Sequence, residues 1–226
     1  MLIASLSPHS DDTELGIGGS ISKWTSVGAE VHIFVLASGN ASTAAQSTDQ
    51  RHRREEGILS AKRLGASVEF LNLAPDSQFN AAPRGPFVEA LEEVLMRKTW
   101  DRLYIPLPSF HQDHTVTYEA AIAALRPRKT LRPPSKVLAY EYPGQAWGPV
   151  PPTTGKVYYP ISGDNLFAKR EALMEHRTQW VADPTAPMIG LDAVDSLARL
   201  RGTECYSEYA EMAYLIREID EGSRWD

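Results

Sequence analysis

The chain has 226 residues, 42% of them hydrophobic and 23% charged, with a formal net charge of −6 and one cysteine. Those proportions describe a globular α/β-sized domain with a substantial core, and the acidic balance makes a nucleic-acid backbone a poor partner. Cys205 alone excludes an internal disulfide framework and suits a reducing compartment. The sequence opens directly on an apolar run, Asp11 and Asp12 arrive too early for a signal-peptide core, and no apolar stretch reaches membrane-spanning length. The expected location is therefore cytoplasmic, with no membrane span.

In chain order, Leu2–Leu6 reads as a buried strand, stopped at Ser7-Pro8 because proline has no amide hydrogen for a sheet. Glu14–Ser26 reads as a helix closed at Gly28, and Glu30–Ala37 as a second strand in which His32 is a satisfied structural histidine. Ser38–Ser47 is small and polar, as a βα loop at the mouth of a site is. Thr48-Asp49 caps a helix that runs to Leu64 and ends at Gly65. Its charged run from Arg51 to Glu56 is mainly a solvated face, with one arginine able to reach the strand ends. Ser67–Leu71 is a third strand, followed by Asp76 as a capping or substrate-binding residue. Pro86–Arg97 is an amphipathic helix with Phe87, Leu91, Val94 and Leu95 on one face, and Arg102–Leu107 a fourth strand.

This alternation predicts a doubly wound, mainly parallel sheet. Beyond Leu125 come a basic, proline-broken connector (Arg126–Pro134) and a fifth strand, Val137–Glu141. A long proline-rich loop, Tyr142–Gly155, carries Trp147 and reads as a lid or binding wall. Lys156–Ile161 is another strand, Asn165–Arg177 and Ala193–Arg201 are helices, and Tyr209–Arg217 is a strand or edge segment. One domain over 1–226 is expected, with the core and site in 1–125 and the later strands, lid loop and helices in 126–226.

Two loops carry the chemistry. Pro8-His9-Ser10-Asp11-Asp12 follows the first strand, where open α/β sheets bind ligands. Taken alone, such residues also serve as helix caps. Gly16, Gly18 and Gly19 suggest a dinucleotide loop only weakly: position 21 is Ile21, and the acidic residues before them would repel a pyrophosphate. Close packing of a helix on the sheet explains them better. The second loop, Ser109-Phe110-His111-Gln112-Asp113-His114, follows the fourth strand, and parallel strands put both loops on one rim. Three of the six histidines thus lie in two post-strand loops beside carboxylates. His9, Asp12 and His114 supply two nitrogens and one carboxylate, with a position left open, which is the ligand count of a catalytic zinc site. Asp11 is then spare and suits a general base. His111, two residues from Asp113 and close enough to be held by it, can carry positive charge, stabilise an oxyanion or protonate a leaving nitrogen. The reaction class is metal-assisted hydrolysis of a carbonyl, most simply an amide.

At these residues the chain resembles the LmbE-like, or PIG-L, family of zinc-dependent N-deacetylases. The family's first motif, P-H-P-D-D-x-E-L-G-x-G-G, reads here from Pro8 to Gly19, and its second, H-P-D-H, reads His111-Gln112-Asp113-His114. Weaker matches are Arg53-x-x-Glu56 with Ala61 and Leu64-Gly65, Tyr140-Glu141, His176-x-x-Gln179, Arg201-Gly202 and Tyr209-Ala210-Glu211. The resemblance implies a Rossmann-like, three-layer fold, with His9, Asp12 and His114 as zinc ligands. It implies Asp11 as base, His111 with Asp113 as electrostatic and acid partner, and Arg53 near the pocket. Iron(II) is the alternative ion. The substrate it implies is an N-acetylated amino-sugar conjugate of the N-acetylglucosamine type, and homo-oligomers are common to such a family. Ser10 and Gln112 stand where the motifs have proline, which bears on loop rigidity and not on the metal site. Trp147, Tyr142 and Asp76 are further candidates for substrate contact, Trp147 by stacking on a sugar face. Two other readings are an amidase for a larger acyl group, as in thiol-conjugate amidases, and a non-enzymatic nucleotide-binding module.

Overall fold

A computed structural model describes residues 1–39, 41–42, 47–128, 132–143, 155–180 and 190–220, with backbone alone at 41–42, 47–48 and 180. The first half of the chain runs β1 (Leu2–Ser7), α1 (Asp12–Ser26), β2 (Glu30–Ala37), β3 (Ala41–Ser42), β4 (Ser47–Thr48), α2 (Gln50–Arg63), β5 (Ser67–Ala74) and α3 (Arg84–Arg97). Then come β6 (Arg102–Pro106), α4 (Gln112–Ala124), β7 (Lys136–Tyr140), β8 (Lys156–Ile161), α5 (Gly163–Met174), α6 (Arg177–Trp180), α7 (Leu191–Glu204) and β9 (Tyr209–Glu218). Local chemistry sets several of these limits. The Asp49 carboxylate accepts from the Arg51 amide at 3.0 Å to start α2. Gly65 ends the helix at φ +70°, a left-handed turn that side-chain-bearing residues disfavour. Ser162 and Asn165 close a reciprocal capping box on α5.

Seven strands form one sheet in the order β5-β2-β1-β6-β7-β9-β8, parallel from β5 through β7. The last two pairings, β7 with β9 and β9 with β8, are antiparallel. Because the parallel strands are covered on both sides, neighbouring residues feed opposite layers. Ala4, Phe34, Leu103 and Ala139 pack with α3 and α4, while Ile3, Ile33, Tyr104 and Leu138 pack with α1, α2 and α5. The fold is thus the three-layer α/β sandwich expected, with a mainly parallel sheet. Its strand order also fixes where a ligand can sit. From β1 the chain moves outward through β2 to β5, then returns to the other side of β1 and continues through β6 to β7. The crevice opens where the order reverses, past the carboxyl ends of β1 and β6. Both motif loops leave from those two strands.

Some expectations need correction. Tyr209–Glu218 is an interior strand between β7 and β8, and β8 is the edge. The helix expected over 165–177 stops at Met174, and after a break at Glu175 and His176 the chain makes a separate short helix, α6. Part of the stretch expected as a plain loop pairs as a short hairpin, β3 with β4. In the basic connector, Arg126 and Arg128 are tied to Glu92 of α3. Among the described residues no helix is long and apolar enough to cross a membrane.

Candidate metal centre and active site

The two motifs meet through the amino ends of two helices. Asp12 begins α1 and Asp113 and His114 lie in the first turn of α4, where the positive ends of the peptide dipoles favour carboxylates. The Asp11 side chain makes no capping bond to α1. The helix start is secured instead by Ser7, whose Oγ accepts from the Thr13 amide at 3.1 Å. The capping explanation for Asp11 therefore falls away.

Asp12 joins the two histidines. One oxygen lies 3.0 Å from His9 Nδ1 and the other 3.1 Å from His114 Nε2. The nitrogens of His9, His111 and His114 also converge, with a ligand atom of each within 4.8 Å of the others. Imidazole nitrogens gathered so closely are a donor set of the kind that holds a transition-metal ion. His114 is 2% exposed and its Nδ1 has no hydrogen-bond partner. The ring of Tyr142 packs edge-on against it, centroids 5.0 Å apart.

His9 is held at its other nitrogen. Its Nε2 lies 2.9 Å from Asp113 Oδ2, across 104 residues of sequence. A histidine oriented by a carboxylate in this way is the usual support for a metal-binding imidazole. Asp113 is itself locked by the Ser77 amide at 2.6 Å and the Phe79 amide at 3.1 Å. Ser77 adopts φ +61°, rare for a residue with a side chain, and this turn aims its amide at Asp113. The expected clasp of the Asp113 carboxylate on His111 is thus corrected: the carboxylate serves His9. His111 receives only the Asp113 backbone amide, on Nδ1 at 3.3 Å. That leaves Nε2 as the protonated nitrogen of a neutral ring, 3.4 Å from Ser77 Oγ.

The electrostatics follow from burial among these charges. Burial disfavours charge on Asp12, but His114 and His9 hold its pKa well below the usual carboxylate range. Burial likewise opposes a charged His9, yet Asp12 and Asp113 raise its pKa well above the ordinary histidine value. Burial raises the pKa of Asp11, as does Asp12 beside it, with His176, His9 and Arg53 pulling the other way. His111 is pushed down to about 4 by burial and by its neighbours His9 and His114. In the metal-free protein it is therefore neutral at pH 7 rather than the positive charge anticipated.

Arg53 and Asp76, expected separately near the pocket, are bonded to each other and buried, at 7% and 6% exposure. Arg53 Nε and Asp76 Oδ1 have no partner. Trp147 lies outside the described residues. Three contributors carry no sequence signal of their role. Ser77 is one, because its backbone and not its side chain does most of the work. His176 and Glu14 are the others: His176 Nε2 lies 3.8 Å from Glu14 Oε1, both residues are almost fully buried, and Ser60 Oγ donates to that carboxylate oxygen at 2.9 Å. Burial opposes a charged His176, yet Glu14 and Asp11 raise its pKa. The H-x-x-Q match marked His176, but nothing in sequence said that it would come to rest behind Asp11.

Comparisons with known proteins agree with this architecture. An uncharacterised deacetylase, YaiS, of Escherichia coli (strain K12) is 26% identical over 186 residues, 78% of this chain and 90% of that protein. The zinc-inhibited form of teicoplanin deacetylase Orf2 superposes with a TM-score of 0.78 at 16% identity, over 98% of this chain and 100% of the other. N,N'-diacetylchitobiose deacetylase from Pyrococcus horikoshii gives 0.77 at 21% identity, over 95% and 83%. At such identities the two structural likenesses speak for the fold. The profile of the family described as PIG-L, GlcNAc-PI de-N-acetylase, matches residues 4–125, from β1 through the end of α4 and both motifs, and the chain belongs to that LmbE-like deacetylase family.

Proposed function

We propose that the protein is a zinc-dependent N-deacetylase acting on an N-acetylglucosamine-type sugar conjugate, with His9, Asp12 and His114 as the metal ligands. The observation that carries this reading is the single carboxylate of Asp12 standing 3.0 and 3.1 Å from nitrogens delivered by two distant loops. When bound, zinc supplies Lewis acidity and brings the pKa of a coordinated water towards about 7; iron(II) suits the same donors. The residues around it divide the remaining work. Asp11, whose burial favours the protonated form, accepts the proton of the attacking water and returns it to the leaving nitrogen. Neutral His111 offers its Nε2 hydrogen to the carbonyl oxygen as negative charge develops there. Asp113 fixes His9, and Tyr142 backs His114.

Recognition of sugar fits the Arg53–Asp76 pair. The buried Arg53 guanidinium and Asp76 carboxylate, bonded to each other, bring together the donor and acceptor types with which ring hydroxyls pair. The single cysteine and acidic composition suit a cytoplasmic enzyme. The experiment is release of acetate from a panel of N-acetylated sugar conjugates by zinc-loaded protein, with and without chelator. Acetate release that the chelator abolishes supports the reading. Faster turnover of longer acyl amides would replace it with an amidase, and no hydrolysis of any amide would overturn it. Arg53→Lys should raise KM about tenfold with kcat little changed, since the bidentate fork is lost while the charge remains.

A further inference from the structure

Helix α1 bends where its own sequence contains no proline. Ile17 sits at φ −134° and ψ 21°, outside helical values, so Asp12–Gly16 and Gly18–Ser26 are two helical pieces joined at an angle. The bend is held from outside. Glu211 of β9 accepts from the Gly19 amide at 3.0 Å with one oxygen and from the Ser20 amide at 2.6 Å with the other. Lys169 of α5 donates to the same carboxylate at 2.7 Å, and the two side chains are 4% and 3% exposed. A carboxylate at the start of the second piece faces the positive end of its peptide dipoles. The glycines let the neighbours close in. A Cβ at Gly16 would stand 2.3 Å from the Tyr140 ring, one at Gly19 2.6 Å from Ile161, and one at Gly18 3.0 Å from the Lys169 stem.

The piece ahead of the bend ends in Asp12. Five residues of helix span about 7.5 Å, so a change of about 10° at Ile17 moves Asp12 by about 1.3 Å. Metal–ligand distances tolerate only about 0.2 Å. We propose that Glu211, seated on Lys169, is a positioning residue for Asp12: it fixes the bend in α1 and so the reach of that carboxylate to His9 and His114. The proposal rests on the metal centre described above. A buried ion pair is by itself a weak source of stability, and a strut that served stability alone would leave the metal unaffected when altered.

The test compares wild-type protein with Glu211→Asp, which keeps the charge and a partner for Lys169, and with the uncharged double variant Glu211→Gln, Lys169→Met. Zinc release to a chromogenic chelator and the visible spectrum of the Co²⁺-loaded protein are read at temperatures where circular dichroism shows the fold intact. Release at least about tenfold faster, with shifted cobalt bands in whichever variant is folded, supports the proposal. Unchanged release and an unchanged cobalt spectrum in a folded variant overturn it while the metal centre stands. Wild-type protein that binds no zinc or cobalt overturns both.

Discussion

The same sheet carries a histidine–acid cluster at each end, and only one of them has the makings of a site. At the amino ends of β2 and β5, His32 Nε2 meets Glu30 at 2.6 Å, its Nδ1 meets Ser67 Oγ at 2.8 Å, and Lys98 reaches Glu30 at 2.6 Å. The inventory resembles a catalytic one, yet His32 is partly and Glu30 largely exposed, and the groups satisfy one another. At the carboxyl ends of β1 and β6, Asp12, Asp113 and His114 are buried, His9 and His111 are half-buried, and the three imidazoles converge from two loops. Residue type alone does not separate the two ends; burial and convergence from distant loops do.

The sharpest way to break this contrast is to remove the proposed base at one end. Asp11→Asn should lower kcat by about 10²–10⁴-fold while zinc content, measured by atomic absorption, stays at the wild-type level. Loss of zinc along with activity would instead make Asp11 a ligand. A second test uses heat and pH. His9, with its pKa raised in the folded state, stabilises metal-free protein below the unfolded value and ceases to as pH climbs through the folded one. Zinc binding competes with that proton, so its stabilisation grows with pH. The gap in Tm between zinc-loaded and stripped protein should therefore widen from pH 6 to pH 8 at fixed total zinc, the stabilisation being about 2.7 kcal/mol where free zinc stands at 100 Kd. A gap that narrows would remove His9 from the ligand set. The smallest effect belongs to the other end: His32→Asn should leave kcat/KM and zinc content within about twofold.

Much of this was legible from sequence, for reasons that are themselves instructive. The limits of β2 and β8 were read without error because β-branched runs bounded by polar or glycine residues are local signals. The meeting of His9 with His114 followed from parallel strands sharing a rim. What stayed hidden was set at a distance. The place of β9 inside the sheet depends on pairings with β7 and β8 that no local pattern encodes. The bend in α1 depends on Glu211, 192 residues away from the amide it receives. Asp113 turned from its near neighbour His111 to His9 because the backbone of Ser77 and Phe79, on another loop, set the direction of its carboxylate.

The reversal of strand order beside β1 also bears on biosynthesis. Of the three proposed donors, His9 and Asp12 precede β2 and His114 follows β6, so a nascent chain that has not reached position 114 lacks one of the three. If those three hold the ion, complete coordination waits until β6 has docked alongside β1. A cation held by this protein is then a certificate that its central strands have come together, and chelation late in refolding should be harmless until that moment and damaging after it.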